Sequence, residues 1–206
     1  MLALAAMSLA NPNQLPQDLP IPQDDGAADH LRGLRLPPIF LPATTGGTID
    51  LSKLHKTVLF FYPRTGVMGK SPGPDWDAIP GARGCTPHSC GFRDLKTEFD
   101  SLGVRVIAMS TQTTAYQTEF AERTHFPFPI LSDAALVATR AMRLPTFEFD
   151  VTPHGGGGPN TLIKRMAWYI TIGTIRHLWY PVFPPDKNAE VVLAWLRQNV
   201  RDSKAT

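Results

Sequence analysis

The sequence has no uncharged apolar run of about 18 residues, which excludes an ordinary membrane-spanning helix. It has little excess charge: 20 Lys and Arg stand against 18 Asp and Glu, a formal net of +2. The basic residues are scattered, and no basic stripe with interleaved aromatics appears, so the electrostatic footprint of a nucleic-acid surface is missing. Cysteine is scarcer still. Two residues in 206 are too few for a disulfide scaffold. They are also too few for structural zinc, which takes four ligands. Adding His88 and one of His125, His154 or His177 gives no common zinc spacing. No metal and no cofactor is expected. What is present is ordinary for a globular chain: 43% hydrophobic and 18% charged residues, at a length that fills one core and falls short of two domains.

The first ten residues, MLALAAMSLA, are apolar, but no basic segment leads them and the following NPNQLPQDLP offers no clear cleavage pattern. Met7 is an alternative start. Together with the two cysteines this favours an intracellular, cytoplasmic location. Residues 1–34 are rich in Pro, Asp and Gln and read as an extended, partly disordered arm that packs late onto the domain or a partner. Residues 35–200 form the domain, with insertions near 64–82 and 145–160, and 201–206 are a tail.

Within the domain, apolar alternation through Pro37–Pro42 ends at Gly46-Gly47, and Thr48–Leu51 reads as a short returning strand. Val58–Tyr62 is a continuous run of β-formers, the pattern of a central strand buried on both faces. A Gly- and Pro-rich loop follows from Pro63 to Gly84. Phe92, Leu95, Phe99 and Leu102 then recur at helical spacing, so Cys85–Leu102 reads as one amphipathic helix. A strand over Val104–Met109, a helix over Thr113–Thr124 and a short extended element at Phe128–Leu131 come next. Ser132 or Asp133 caps a helix to Ala141. Leu144–Asn160, with its four glycines, reads as a loop. A hairpin turns at Gly173 between Arg165–Ile172 and Thr174–Tyr180. A last helix over Asp186–Asn199 buries Val191, Val192, Trp195 and Leu196. A parallel βαβ start, a hairpin and a closing helix make an α/β sandwich with a central mixed sheet flanked by helices.

The chemistry gathers at Gly84-Cys85-Thr86-Pro87-His88-Ser89-Cys90. A thiol at the head of a helix faces unsatisfied amides and the positive end of the dipole, and both favour thiolate, the nucleophilic form. Pro87 suits a first turn, where its missing amide costs little. Residues five apart on an intact helix lie about 7.5 Å apart along its axis. They also point in different directions, so a Cys85–Cys90 disulfide requires the first turns to unwind. The pair reads as a redox switch, against the plainer reading of Cys90 as a buried core residue.

These residues resemble a known family. GCTPHSCGFRDL is similar to the active-site segment of peroxiredoxins, in the subgroup of bacterioferritin comigratory protein and peroxiredoxin Q. Phe61-Tyr62-Pro63 resembles the strand end and proline that precede the family's active site, Val104–Ser110 with Phe126–Asp133 resembles its next strand and the element after it, and the resemblance runs from about Leu36 to Asn199. It implies a thioredoxin-like sandwich and a thiol peroxidase that reduces hydrogen peroxide or organic hydroperoxides. By the same resemblance Cys85 is peroxidatic and Cys90 resolving. Arg165 holds thiolate and peroxide, amides at Gly84 and Cys85 bind substrate, and Pro63 shields the site. Thioredoxin or a similar dithiol is the implied reductant, and a homodimer is implied by relatives, with Val182–Pro185 and the lid as contact surfaces.

Two departures stand out. The position where the family carries Thr or Ser, three before the cysteine, is Ala82, and Thr65 is the residue that could replace the hydroxyl. The interval of 22 positions from Pro63 to Cys85 is longer than the family's. The extra segment carries Val67, Met68, Trp76 and Ile79, stiffened by Pro72, Pro74 and Pro80. It reads as a lid whose Trp76 touches substrate, or as a surface for a neighbouring subunit. Two alternatives keep the fold: an enzyme acting on a specialised small organic substrate, and a non-catalytic redox-sensing or interaction protein.

Overall fold

The computed structural model describes residues 15–16, 18–67, 73–155 and 157–200. Met68 and Pro72 of the expected lid, most of the first half of the arm and the tail from 201 lie outside the described residues.

The segments form in this order: β1 (Phe40–Pro42), β2 (Thr48–Asp50), β3 (Thr57–Phe61), α1 (Pro74–Asp77), α2 (Cys85–Asp94), α3 (Lys96–Ser101), β4 (Arg105–Ser110), α4 (Thr114–Thr124), β5 (Ile130–Ser132), α5 (Val137–Ala141), β6 (Thr146–Glu148), β7 (Thr161–Ile163), β8 (Met166–Thr171), β9 (Thr174–Trp179) and α6 (Asn188–Asn199). Five strands make the central sheet in the order β5-β4-β3-β8-β9. β3 pairs parallel with β4 and antiparallel with β8, so it sits at the centre, as its apolar run demands. All five of its residues are buried. Alternate side chains go to opposite faces. Leu59 and Phe61 join one apolar cluster and Val58 and Phe60 the other. The result is a mixed sheet flanked by helices, the thioredoxin-like sandwich.

The second cluster carries α2. Phe92 stacks on Phe60 with ring centroids 4.2 Å apart and planes 7° apart, fixing the rotation of α2 against the central strand. Such a ring pair contributes about 0.5–1.5 kcal/mol beyond its burial. The expected single helix over Cys85–Leu102 is two helices: Leu95 leaves helical geometry at φ −97°, ψ 13°, and α3 begins after it. The apolar spacing continues across the break because Phe92 and Phe99 stay on one side and remain in contact.

Three other readings change. Asp133 caps α5, accepting from the amides of Ala138 and Thr139, yet the helix starts only at Val137. In α6 the sheet-facing residues are Val192, Leu193 and Leu196, while Val191 is 51% exposed. The glycine-bearing stretch after Leu144 is a hairpin in which β6 and β7 pair antiparallel. Its Gly158 sits at φ +110°, where a Cβ would lie 2.6 Å from the Thr111 carbonyl, so only glycine lets this hairpin close over the end of β4.

The arm is partly docked. Ala28 and Leu31 are buried in the first cluster, and just past the arm Arg35 bridges to Thr174. Asp25 accepts from Lys164 Nζ at 2.6 Å and from the Tyr180 hydroxyl at 2.7 Å, beside the start of β8.

Candidate active site

The sequence turns from β3 through Pro63 into the inserted segment and returns at Gly84, the residue before α2. Gly84 has φ +97°, and a Cβ there would meet Pro185 Cγ at 2.5 Å and Leu15 Cδ2 at 2.8 Å. The left-handed bend and the close approach of the Pro185–Lys187 turn both require glycine. This turn places Cys85 as the first residue of α2, with no side chain capping the helix. The amides of Cys85 and Thr86 therefore remain available at the positive end of the dipole.

Arg165, immediately before β8, reaches across the sheet end to this point and is 3% exposed. Its Nη2 donates to Cys85 Sγ at 3.2 Å. The same nitrogen donates to the carbonyls of Ala82 at 3.0 Å and Arg83 at 3.2 Å, and Nε donates to Gly81 at 3.3 Å. One guanidinium thus holds both the Cys85 sulfur and the three carbonyls of the turn leading to it. The fork geometry of arginine is what makes this feasible.

His88 lies one turn into α2 and is fully buried. Its Nδ1 is 2.9 Å from Arg165 Nη1, and its Nε2 is 2.9 Å from Asn188 Oδ1. Burial, and then the neighbouring Arg165 charge, hold its pKa well below the usual histidine value. Arg64 is a second buried guanidinium. Its Nη2 donates to the Gly155 carbonyl of the hairpin loop, while Nη1 has no partner among the described residues. Cys85 and Tyr116 lie within its electrostatic reach.

The expected residues are placed as follows. Cys85 and Arg165 are in contact, Gly84 shapes the turn, and Pro63 is buried directly after β3. Cys90 is half-buried on the same helix; burial pushes its thiol pKa up. It lines a cleft of about 420 Å³ with Pro87, Gly91, Arg93, Asp186 and Ala189. Thr65 does not replace the missing hydroxyl: its Oγ1 donates to Gln112 Oε1, and its carbonyl accepts from Tyr116. Ala82 contributes its carbonyl, which also accepts from Cys85 Sγ at 3.5 Å. Trp76 is 3% exposed and packs against Phe147 and Phe149 of the second insertion. Of the Val182–Pro185 surface, Val182 and Pro185 are buried within the chain.

Sequence reasoning missed Arg64 and the roles of His88 and Asn188. His88 stood inside the quoted motif, and an imidazole one turn from a cysteine at a helix head was signal enough to ask for its partners. Among the described residues no group of three or more His, Cys, Asp or Glu is placed to hold a metal ion, and no helix is long and apolar enough to cross a membrane.

A mixed sheet flanked by helices, with a cysteine at the head of one of them, is the architecture of thioredoxin-fold thiol proteins; here a buried arginine from just before β8 meets that cysteine. Residues 31–193 match the Redoxin family model, and the chain belongs to that family. It is similar to chloroplastic peroxiredoxin Q of Triticum aestivum, 29% identical over 74% of this chain and 61% of that protein. It is likewise similar to the putative peroxiredoxin bcp of Coxiella burnetii, 31% identical over 49% of this chain and 58% of that protein. These matches span about three-fifths of either relative's length. Among solved structures it resembles peroxidoxin BcpB from Mycobacterium tuberculosis, with a TM-score of 0.62 and 28% identity over 82% of this chain and 97% of that one. The fold is shared with Xanthomonas campestris peroxiredoxin Q, with a TM-score of 0.59 and 21% identity over 89% and 99% of the two chains.

Proposed function

We propose that the protein is a thiol peroxidase that reduces hydrogen peroxide or organic hydroperoxides. The contact between Arg165 Nη2 and Cys85 Sγ at the open head of α2 carries this reading. The Cys85 thiolate attacks one peroxide oxygen and forms a sulfur–oxygen bond while the oxygen–oxygen bond breaks. The other oxygen leaves with the electron pair, takes a proton and departs as water or alcohol. Charge moves from sulfur toward the leaving oxygen, and the Arg165 fork with the first amides of α2 lies along that path.

Cys85 is then a sulfenic acid. The Cys90 thiol attacks its sulfur, water leaves, and a disulfide remains. Thioredoxin or a similar dithiol returns both cysteines to thiols. Cys90 lines an open cleft, which is where such a donor can approach the disulfide. Two thiols working in this cycle suit a reducing, cytoplasmic setting.

A second reading is favoured by one observation. Neither Ala82 nor Thr65 supplies a hydroxyl to Cys85, so the same thiol chemistry would serve a specialised small organic substrate.

The test is consumption of hydrogen peroxide and cumene hydroperoxide by the reduced protein. The proposed cycle predicts turnover that disappears in Cys85→Ser, and a trappable sulfenic acid in Cys90→Ser. A reactive Cys85 with no turnover of either peroxide would instead select the second reading.

A further inference from the structure

Arginine has only donors, so the contact between Arg165 Nη1 and His88 Nδ1 has one possible polarity. Nδ1 must accept, and the ring proton must then sit on Nε2, where it donates to Asn188 Oδ1. Both ring nitrogens are committed inside a site that excludes water, between the stacked Phe60 and Phe92 and the head of α6. Arg165 cannot drop this contact freely. It is a further hold on the guanidinium, whose Nη2 donates to Cys85 Sγ while Nη2 and Nε are also held by the turn carbonyls.

We infer that His88 and Asn188 are positioning residues: Asn188 fixes the neutral Nε2–H tautomer of His88, and His88 thereby orients Arg165 on Cys85. This rests on the peroxidase reading for its consequence in turnover, though the arrangement itself does not. Charged and titratable groups on α2 and on the elements packed around it include Cys85, Cys90, Arg93 and Asp94 on α2 itself, Tyr62 after β3, Arg165 before β8, the Arg83–Asp77 pair, Asp186 and Lys187 in the turn before α6, and Glu190 on α6. Of these, Arg165 is the one in contact with the ring.

The placement has a second consequence. His88 lies between Cys85 and Cys90, and a disulfide between them requires this stretch of helix to unwind. Unwinding withdraws His88 from Arg165 and Asn188 together. The support for the guanidinium is therefore present only while α2 is wound and Cys85 is available to peroxide, and it is dismantled in the resolved state.

Asn188→Asp is the discriminating change. An anion at Nε2 favours a second ring proton, which turns Nδ1 into a donor facing Arg165. The peroxide rate constant of wild type should carry no histidine inflection between about pH 5 and pH 8. That of Asn188→Asp should fall at least tenfold as the pH drops through the new His88 pKa. His88→Asn, whose Oδ1 can stand where Nδ1 stood, should stay within about threefold of wild type, while His88→Leu should lose tenfold or more.

Two readouts do not need peroxide: ¹⁵N chemical shifts of the His88 ring, and alkylation of Cys85 by iodoacetamide in a Cys90→Ser background. If wild type consumes no peroxide, the peroxidase reading fails alone, and these two decide the inference. A neutral Nε2–H ring and an alkylation rate that gains an inflection in Asn188→Asp support it. A ring that titrates at the ordinary histidine value, coincident pH profiles for wild type and Asn188→Asp, or equal losses in folded His88→Asn and His88→Leu would each overturn it.

Discussion

Trp76 meets Phe149 edge to face, with ring centroids 4.9 Å apart and planes at 71°. The two residues belong to the two inserted segments, one after β3 and one between β6 and β7, which are far apart in sequence and in contact in the fold. Arg64 ties the same segments a second time through the Gly155 carbonyl. We read the two insertions as one cover, held by an aromatic cluster with little polar content.

Trp76→Ala should open that cover without unfolding the sheet. Truncating a buried Trp removes about 3 kcal/mol or more of packing, and here the loss falls on the lid. Limited proteolysis should cut faster within residues 64–82, while the central sheet keeps its hydrogen-exchange protection. Bulky hydroperoxides should gain access relative to hydrogen peroxide. An unchanged cleavage pattern would mean that the cover is held elsewhere.

Arg165→Lys preserves charge and removes the fork. A single ammonium cannot serve Cys85 Sγ, His88 Nδ1 and three carbonyls at once. The second-order rate constant with hydrogen peroxide should fall about 100-fold, the usual cost of losing a preorganised donor at the reacting atoms. Stopped-flow measurement under pseudo-first-order conditions reads this directly, with circular dichroism showing that the fold survives. A loss of less than about threefold would detach Arg165 from the chemistry.

What could be read from the sequence was local. The Val58–Tyr62 run announced a strand buried on both faces, Gly173 announced the hairpin, and the helical repeat after Cys85 announced a thiol at the head of a helix. Arg165 came from the family resemblance, since a lone arginine before a strand has no signature of its own. The break at Leu95 was hidden because apolar spacing reports which face is buried, not whether the backbone stays helical. The pairing of His88 with Asn188 spans 100 positions and depends on α6 packing onto α2, which no window of sequence contains. Thr65 looked free to serve Cys85 only because its partner Gln112 lies beyond β4.

Gly84→Ala tests the turn that presents the thiol. Alanine at φ +97° carries about 1–2 kcal/mol of backbone cost, before the collision with Pro185 Cγ at 2.5 Å is counted. For a chain of this size a loss of about 2 kcal/mol lowers Tm by roughly 4–8 °C. Peroxide reactivity should drop with it, because the bend and Cys85 move together. Adding Pro185→Gly should return part of the lost stability but not the part due to φ. Full recovery in the double variant would assign the whole defect to the collision.

His88 also makes a prediction about acid stability that needs no substrate. The native ring stays neutral well below the ordinary value of 6.5, so below about pH 6.5 the unfolded chain binds a proton that the native chain refuses. Stability should then fall as pH falls, by up to about 1.4 kcal/mol per unit, and the loss should begin below 6.5. His177, whose pKa is also lowered by burial and Arg32, adds in the same direction and window. Asp25 works lower down: its carboxyl is held at about 2 by Lys164 and Tyr180, so its contribution is complete above its unfolded value of 3.8 and is lost as pH falls toward 2. Urea denaturation from about pH 7 to pH 5 should therefore show a slope in wild type that is shallower in His88→Asn and unchanged in Asp25→Asn. If His88→Asn kept the full slope, the buried ring would not be the group that resists protonation.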